Sequence, residues 1–197
     1  MAKEFVVGIT GASGGIYGIR LVQELIKGGH LVHLLLTNAS WQVFQEELGW
    51  EIETGDRASI PSRFEVASDR LKVHDMHDYR APVASGSHRT DGMIIIPCSM
   101  GTLSAIAHGA SDNLLERAAD TTLKEGRPLI IVPRETPLNV IHLRNMLALA
   151  EAGARILPAM PGFYHLPRTM DDLIHFVVGK ALDALQVEHQ LFRRWGE

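Results

Sequence analysis

The chain has 197 residues, of which 46% are hydrophobic, and a formal net charge of −4. This length favours a single globular domain over residues 1–197, and the negative charge, without a dense Lys/Arg stripe, argues against a nucleic-acid partner. The longest apolar runs are too short to span a bilayer, and one cysteine excludes an internal disulfide framework, so we expect a cytoplasmic protein.

Strand-like and helical segments alternate along the chain. Apolar, β-branched runs predict strands at 5–10, 31–36, 93–96, 129–132 and 155–157. Helical periodicity predicts helices at 14–27, 39–48, 99–108, 112–125, 138–152 and 169–185. The polar segment 49–92 predicts a loop-rich insertion with one short strand at 71–73. This alternation is typical of an α/β fold with a doubly wound, mainly parallel, Rossmann-like sheet.

The first predicted strand runs into a glycine-rich turn, Gly11-Ala12-Ser13-Gly14, that opens the first helix. Small residues let the backbone approach a ligand, and a helix N-terminus offers unpaired N–H groups to an anion, usually a nucleotide phosphate. Ligands of parallel α/β sheets bind beyond the carboxyl ends of the strands. We therefore expect a nucleotide site at this edge, which segments rich in Gly, Pro and Ser also reach at 97–102, 133–137 and 158–167.

The turn does not fit a nicotinamide dehydrogenase. That fingerprint needs Gly-x-Gly-x-x-Gly and an acidic residue after the second strand, whereas this strand ends in Thr37-Asn38. The short-chain reductase variant fits the turn better, but Tyr17 takes its last glycine position and no tyrosine has a lysine four residues on. A mononucleotide such as FMN suits the pattern, with hydroxyl donors from Ser13 and Thr37 and a second helix N-terminus near Ser99. Taken singly, Ser13 and Ser99 are equally consistent with plain N-caps.

Further motifs occur in order along nearly the whole chain. They are Pro-Cys-Ser-x-Gly-Thr-Leu at 97–103, Glu-Arg-Ala-Ala-Asp at 116–120, Leu-Lys-Glu-Gly-Arg-Pro-Leu at 123–129, Val-Pro-Arg-Glu-Thr-Pro-Leu at 132–138, Ile-His-Leu-x-Asn-Met at 141–146 and Pro-Gly-Phe-Tyr-His at 161–165. Together with Gly-Ala-Ser-Gly at 11–14, they make the chain resemble the flavin prenyltransferases (UbiX-like), formerly called phenylacrylic or aromatic acid decarboxylases. Only the segment 49–79 matches loosely.

The resemblance implies an enzyme, a prenyltransferase that joins the dimethylallyl group of dimethylallyl phosphate to N5 and C6 of reduced FMN without a metal. Its product, prenylated FMN, would be the cofactor of a separate UbiD-type decarboxylase. Members of the family usually assemble as dodecamers with sites at subunit interfaces, so we expect a homo-oligomer.

The resemblance also assigns roles to residues by position. FMN contacts fall on Gly11, Ala12, Ser13, Thr37, Ser99, Met100, Gly101, Thr102 and Arg134. Prenyl-phosphate contacts fall on Tyr164, Lys180, Lys124, Arg134 and Tyr79, and catalytic roles on Glu47, Glu135, Tyr164 and Lys124. Two positions depart from the family: Lys180 stands where many members have Arg, and Tyr79 where some have Trp.

These residue types fit the chemistry. Cationic donors such as Lys124, Arg134 and Lys180 stabilise a leaving phosphate. An aromatic face such as Tyr79 attracts a cationic allyl group, and Glu47 could move a proton at N5. Without the resemblance, Lys124 and Glu47 would each read as solvated charges at helix ends.

Two other functions remain open. A flavin-dependent decarboxylase of the cysteine-decarboxylase type shares a helix-opening motif like that at 97–102, but it needs a reactive cysteine in a distal flap, where this chain has none. A non-catalytic FMN carrier would need only the nucleotide site.

We expect Cys98 to be a small buried residue and His142 and His165 to make structural hydrogen bonds.

A metal site is not expected. His74 and His77, flanked by two aspartates, could suggest one, but no second cluster at ligand spacing supports it.

Overall fold

Six strands form one sheet in the computed structural model, which describes residues 2–196. They are β1 (Glu4–Ile9), β2 (Leu31–Leu36), β3 (Leu71–Val73), β4 (Gly92–Cys98), β5 (Leu129–Pro133) and β6 (Arg155–Ile156). All adjacent pairs are parallel, in the order β3-β2-β1-β4-β5-β6. The order reverses direction at β1, as in a doubly wound Rossmann-like sheet. The predicted fold class is therefore confirmed.

Helices cover both faces of this sheet. They are α1 (Gly15–Lys27), α2 (Asn38–Leu48), α3 (Ile60–Arg63), α4 (Met100–Ala107), α5 (Leu114–Lys124), α6 (Val140–Glu151) and α7 (Met170–Ala184). Every predicted strand and helix is present, with its ends within two residues of the prediction. The one-turn helix α3 was not predicted; it lies in the insertion and is anchored by the buried side chains of Ile60 and Phe64. Within residues 2–196, no helix combines the length and apolarity needed to cross a membrane.

Successive residues of β1 face opposite sides of the sheet and contribute to two apolar cores. Phe5, Val7 and Ile9 pack with α1 and α7 on one face, and Val6 packs with α4 and α5 on the other. Gly18 lets α1 approach the sheet closely, because a Cβ there would lie only 2.6 Å from the carbonyl oxygen of Ile96. In the short-chain reductase pattern the last glycine would stand at position 17, which is Tyr17 here. The glycine that allows close packing is the next residue, Gly18.

Candidate functional site

Thr10 joins the carboxyl ends of β1 and β4. Its buried hydroxyl donates to the carbonyl oxygen of Pro97 at 2.9 Å and accepts from the backbone N–H of Ser99 at 2.8 Å. The glycine-rich turn after β1 therefore lies beside the N-terminus of α4. This is the edge of the sheet where the sequence predicted the nucleotide site.

The N-terminus of α1 holds the carboxylate of Glu47. The N–H of Gly14 lies 2.9 and 3.1 Å from the two carboxylate oxygens, and the N–H of Gly15 donates at 3.2 Å. Gly14 has a φ of 99°, a left-handed conformation that favours glycine. The sequence predicted that this helix end presents its N–H groups to a ligand phosphate. This is not met for Gly14 and Gly15, because α2 ends beside the turn and its Glu47 carboxylate accepts from both N–H groups.

Arg134 connects the end of β5 to the same turn. Its Nε donates to the backbone carbonyl of Ser13 at 3.2 Å, and its own N–H donates to the carbonyl of Cys98. Among residues 2–196, its two Nη groups make no hydrogen bond. The next residue, Glu135, accepts from the N–H of Thr136 at 3.0 Å. A guanidinium fixed beside Ser13 can thus offer two donors to an anion.

Thr37 supplies a buried polar group that the described chain leaves unpaired. Its hydroxyl is shielded from solvent and has no hydrogen-bond partner within residues 2–196. Thr37 precedes α2 as its N-cap residue, yet the side chain makes no capping bond. An unpaired buried hydroxyl costs about 1–3 kcal/mol, which a ligand with a matching polar atom would recover. This edge therefore fits a polar ligand.

The remaining predicted FMN contacts lie on the same edge with differing surroundings. Ser99 caps α4, since its hydroxyl accepts from the N–H of Thr102 at 3.3 Å, so the plain N-cap interpretation of Ser99 is confirmed. Met100 is buried, whereas a Cβ at Gly101 would meet open space. Gly11 lies against α2, where a Cβ would come within 2.4 Å of the Ala39 Cβ. Ala12 is buried and Ser13 is exposed.

Tyr164 lies in an aromatic pocket after β6. Its ring packs edge-on against Phe176 and Trp195, with centroids 5.6 and 5.3 Å away. The cavity at this place has a volume of about 440 Å³ and is lined by Tyr164, His165, Leu166, Arg193, Arg194, Trp195 and Gly196. Both ring nitrogens of His165 are buried without a partner in the described chain, so the expectation of a structural hydrogen bond is wrong there. For His142 it is confirmed, because this residue completes a capping box with Asn139.

The single chain does not bring Lys124 and Lys180 to the glycine-rich turn. Lys124 ends α5, just before β5 begins at the amino edge of the sheet, and its Nζ lies 2.5 Å from Glu125. Lys180 lies about 15 Å along α7 from the start of that helix, at 1.5 Å per residue, and 3.8 Å from Asp183. Both helices run opposite to the strands, so their C-terminal parts, which carry Lys124 and Lys180, lie away from Arg134 at the carboxyl edge of the sheet. The expectation that Lys124 lies near Arg134 is therefore not met within one chain.

Tyr79 belongs to the insertion. It is 47% exposed, and its hydroxyl donates to the carbonyl of Ser111, shortly before α5, at 3.3 Å.

Cys98 is fully buried, as predicted. Burial raises the pKa of its thiol far above the usual range, so the thiolate needed for nucleophilic attack is not available.

An apolar stripe on α6 faces away from the core. It consists of Val140, Ile141, Leu143 and Leu147, each more than half exposed. Helical spacing places Val140, Leu143 and Leu147 on one face. Contiguous exposed patches of this kind mark protein–protein contacts.

Comparison with known proteins gives consistent matches. A family model described as Flavoprotein matches residues 1–182. Flavin prenyltransferase UbiX of Alkalihalophilus pseudofirmus is 65% identical over 196 residues, which is 99% of this chain and 97% of that protein. The structure of a dodecameric FMN-dependent UbiX-like decarboxylase from Escherichia coli O157:H7 is 42% identical, with a TM-score of 0.87, covering 98% of this chain and 100% of that one. The structure of AnUbiX in complex with FMN and dimethylallyl pyrophosphate is 39% identical, with a TM-score of 0.90, covering 100% and 99%.

Proposed function

The chain belongs to the flavin prenyltransferase family of flavoproteins, and on that basis we propose that it transfers a dimethylallyl group from dimethylallyl phosphate to N5 and C6 of reduced FMN. FMN is a substrate here, and prenylated FMN leaves as the product. The observation that carries the proposal is the pairing of an arginine and a carboxylate on one turn: Arg134 binds Ser13, and Glu47 binds Gly14.

FMN would bind along the carboxyl edge of the sheet. The unpaired hydroxyl of Thr37 and the N-terminus of α4 near Gly101 offer donors to its phosphate, and the small residues Gly11 and Ala12 admit the rest of the molecule closely. The reduced flavin supplies the nucleophilic N5 and C6 atoms, and the phosphate released from the donor would accept the proton that C6 loses when its bond to carbon forms. Because Glu47 already binds the N–H groups of α1, the phosphate contacts are assigned to Thr37 and α4.

Arg134 would stabilise the departing phosphate. When the allylic C–O bond breaks, the phosphate leaves with the electron pair of that bond, and its added negative charge favours contact with a fixed guanidinium. The family pattern also assigns contacts with this phosphate to Tyr164, Lys124 and Lys180. Since Lys124 and Lys180 lie far from Arg134 in one chain, we propose that neighbouring copies contribute them.

Glu47 would move a proton at N5. Its carboxylate is exposed and is held by two backbone donors, so its position is fixed while it stays open to a substrate. Glu135 follows Arg134 directly and is assigned a second acid–base role. The ring of Tyr79 would face the allyl group, where an aromatic surface stabilises positive charge.

Assembly into a homo-oligomer, with a dodecamer as the proposed form, would complete the site. The exposed apolar stripe of α6 supports self-association, and a relative at 42% identity is dodecameric. We further propose that the enzyme works in the cytoplasm and that prenylated FMN passes to a UbiD-type decarboxylase. Family membership supports both statements.

The experiment that tests the reaction is anaerobic incubation of the protein with FMN, a reductant and dimethylallyl phosphate, followed by mass measurement of the flavin. The expected result is a gain of one dimethylallyl group, and an unchanged FMN mass would refute the proposal. A parallel reaction with the diphosphate donor identifies the leaving group. A non-catalytic carrier would bind and release FMN with no change in mass.

A further inference from the structure

Three histidines and a glutamate meet beside β1, β2 and β3. His33 on β2 is fully buried, and its Nε2 lies 2.5 Å from Oε1 of Glu4 on β1. His88, in the loop before β4, places its Nε2 2.7 Å from the same oxygen. His74, directly after β3, stacks on His33 and places its Nε2 2.7 Å from His33 Nδ1. Residues up to 84 positions apart in the chain thus converge on one carboxylate.

The backbone around this cluster is anchored. The N–H of Glu4 donates to a carboxylate oxygen of Asp91 at 2.7 Å, and the N–H of Asp91 donates back to the Glu4 carbonyl. Arg127 donates from its two Nη atoms to the carbonyls of His88 and Gly86, at 2.7 and 2.5 Å. Both ends of the cluster are therefore fixed before any ligand binds, which reduces the ordering that binding requires.

Burial and hydrogen bonds shift the pKa values within this cluster. Burial opposes ionisation of Glu4, but hydrogen bonds from His33 and His88 outweigh it and lower the pKa of the carboxyl. Burial lowers the pKa of His33. The pKa of His74 falls to about 4, mainly through burial and then through the nearby charges of His33 and Lys72.

We propose that Glu4, His33 and His88 form a binding site for a divalent transition-metal ion of the Zn²⁺ type, separate from the flavin site. The three ligand atoms lie within 4.8 Å of one another. Two imidazole nitrogens and one carboxylate oxygen form a known zinc donor set, with a fourth position open to water.

Small movements would create the coordination geometry. Bonds of about 2.0–2.1 Å in a tetrahedron separate the ligand atoms by about 3.3 Å, so Oε1 of Glu4, which lies 2.5 and 2.7 Å from the two histidine nitrogens, must move away from both. The side chains of Glu4 and His88 are 27% and 30% exposed and have room to adjust, while His33 is buried. His33 would then donate its Nδ1–H to His74, as metal-bound histidines usually do to an outer partner.

The ion would have a structural role. It would tie β1, β2 and the loop before β4 together. Glu4 begins β1 at the end opposite to the glycine-rich turn, and His33 pairs with Val6, three residues before Ile9, so the ion lies about 10 Å or more from that end of the strand at about 3.3 Å per strand residue. Prenyl transfer itself does not involve it, and metal binding can be measured independently of activity.

The test uses the full chain after treatment with a chelator. Zn²⁺ is titrated in competition with a chromophoric chelator, and Co²⁺ is titrated while its visible absorption is recorded. We expect one equivalent per chain and the intense visible bands of four-coordinate Co²⁺. His88→Ala and Glu4→Gln should each weaken binding by at least about 100-fold, and His74→Ala by about 10–100-fold, the range for loss of an outer partner.

His77→Ala is the matched control, because His77 is exposed and flanked by Asp75 and Asp78 outside the cluster. This variant should bind like the unmodified chain. The proposal is overturned if the unmodified chain binds no Zn²⁺ at equimolar concentration, which would leave a purely hydrogen-bonded cluster. It is equally overturned if Glu4→Gln, which preserves the side-chain shape, binds as tightly. Circular dichroism in chelator confirms that each variant is folded.

Discussion

The carboxylate of Glu47 lies 2.9 Å from the backbone nitrogen of Gly14, so the last turn of α2 closes the N-terminus of α1. This contact spans 33 residues of sequence. It places a negative charge where the helix dipole is most favourable to it, on a side chain that remains exposed to solvent.

Glu47→Gln should separate binding from catalysis. Glutamine keeps the size and one acceptor oxygen but cannot exchange the proton, so turnover should fall by about 100-fold or more while FMN binding changes little. Loss of the charge at α1 should also lower the free energy of unfolding by about 0.3–1 kcal/mol. Anaerobic single-turnover assays and thermal melts measure these effects. Glu46→Gln, at the neighbouring exposed glutamate, is the control and should leave turnover unchanged; full turnover of Glu47→Gln would remove the acid–base role.

Thr37→Val should weaken FMN binding without destabilising the free protein. The hydroxyl has no partner within residues 2–196, so its removal breaks no bond in the free chain. With FMN present, one hydrogen bond of about 1 ± 0.5 kcal/mol is lost, and Kd should rise about fivefold. Fluorescence titration of FMN and denaturant unfolding measure the two quantities.

Thr10→Val provides the contrast for that experiment. The Thr10 hydroxyl bonds both Pro97 and Ser99, so its loss should lower the free energy of unfolding by about 1–3 kcal/mol. Equal stability losses in the two variants would contradict the interpretation of Thr37 as a ligand contact.

Leu147→Glu should break the assembly and abolish turnover together. A charge at position 147 of the exposed α6 stripe cannot be buried against a second copy without a large desolvation cost. Light scattering after gel filtration should show a smaller particle, and activity should disappear because Lys124 and Lys180 no longer reach the turn of another copy. Glu151→Gln, at the end of the same helix, should keep both. An active monomer of Leu147→Glu would show that one chain suffices.

Cys98→Ala should retain turnover. The thiol is fully buried, and burial raises its pKa far above the usual range, which keeps it protonated and unreactive. The smaller side chain should cost about 1 kcal/mol of stability through the void it leaves. Prenylation assays and native thiol titration test this. Complete loss of turnover in a folded variant would favour the cysteine-decarboxylase alternative.

The sequence predicts the elements well and the contacts between them less well. Strand and helix ends follow from local apolar periodicity, which is why they lie within two residues of their predicted positions. The contact between Glu47 and Gly14 depends on the angle at which α2 returns to the turn, and no local pattern encodes it. The same holds for Glu4 and His88, which are distant in the chain. The histidine pair considered from sequence, His74 with His77, is replaced in the structure by His74 with His33.

The buried position of Cys98 makes the natural chain a ready background for site-specific labelling. It is the single cysteine of all 197 residues, and its side chain is fully buried at the end of β4. A cysteine introduced at an exposed position, such as Glu151 on α6, would be the one thiol that a maleimide dye can reach. Energy transfer between chains carrying donor and acceptor dyes at that position would then follow assembly and dissociation in real time, without prior removal of a native residue.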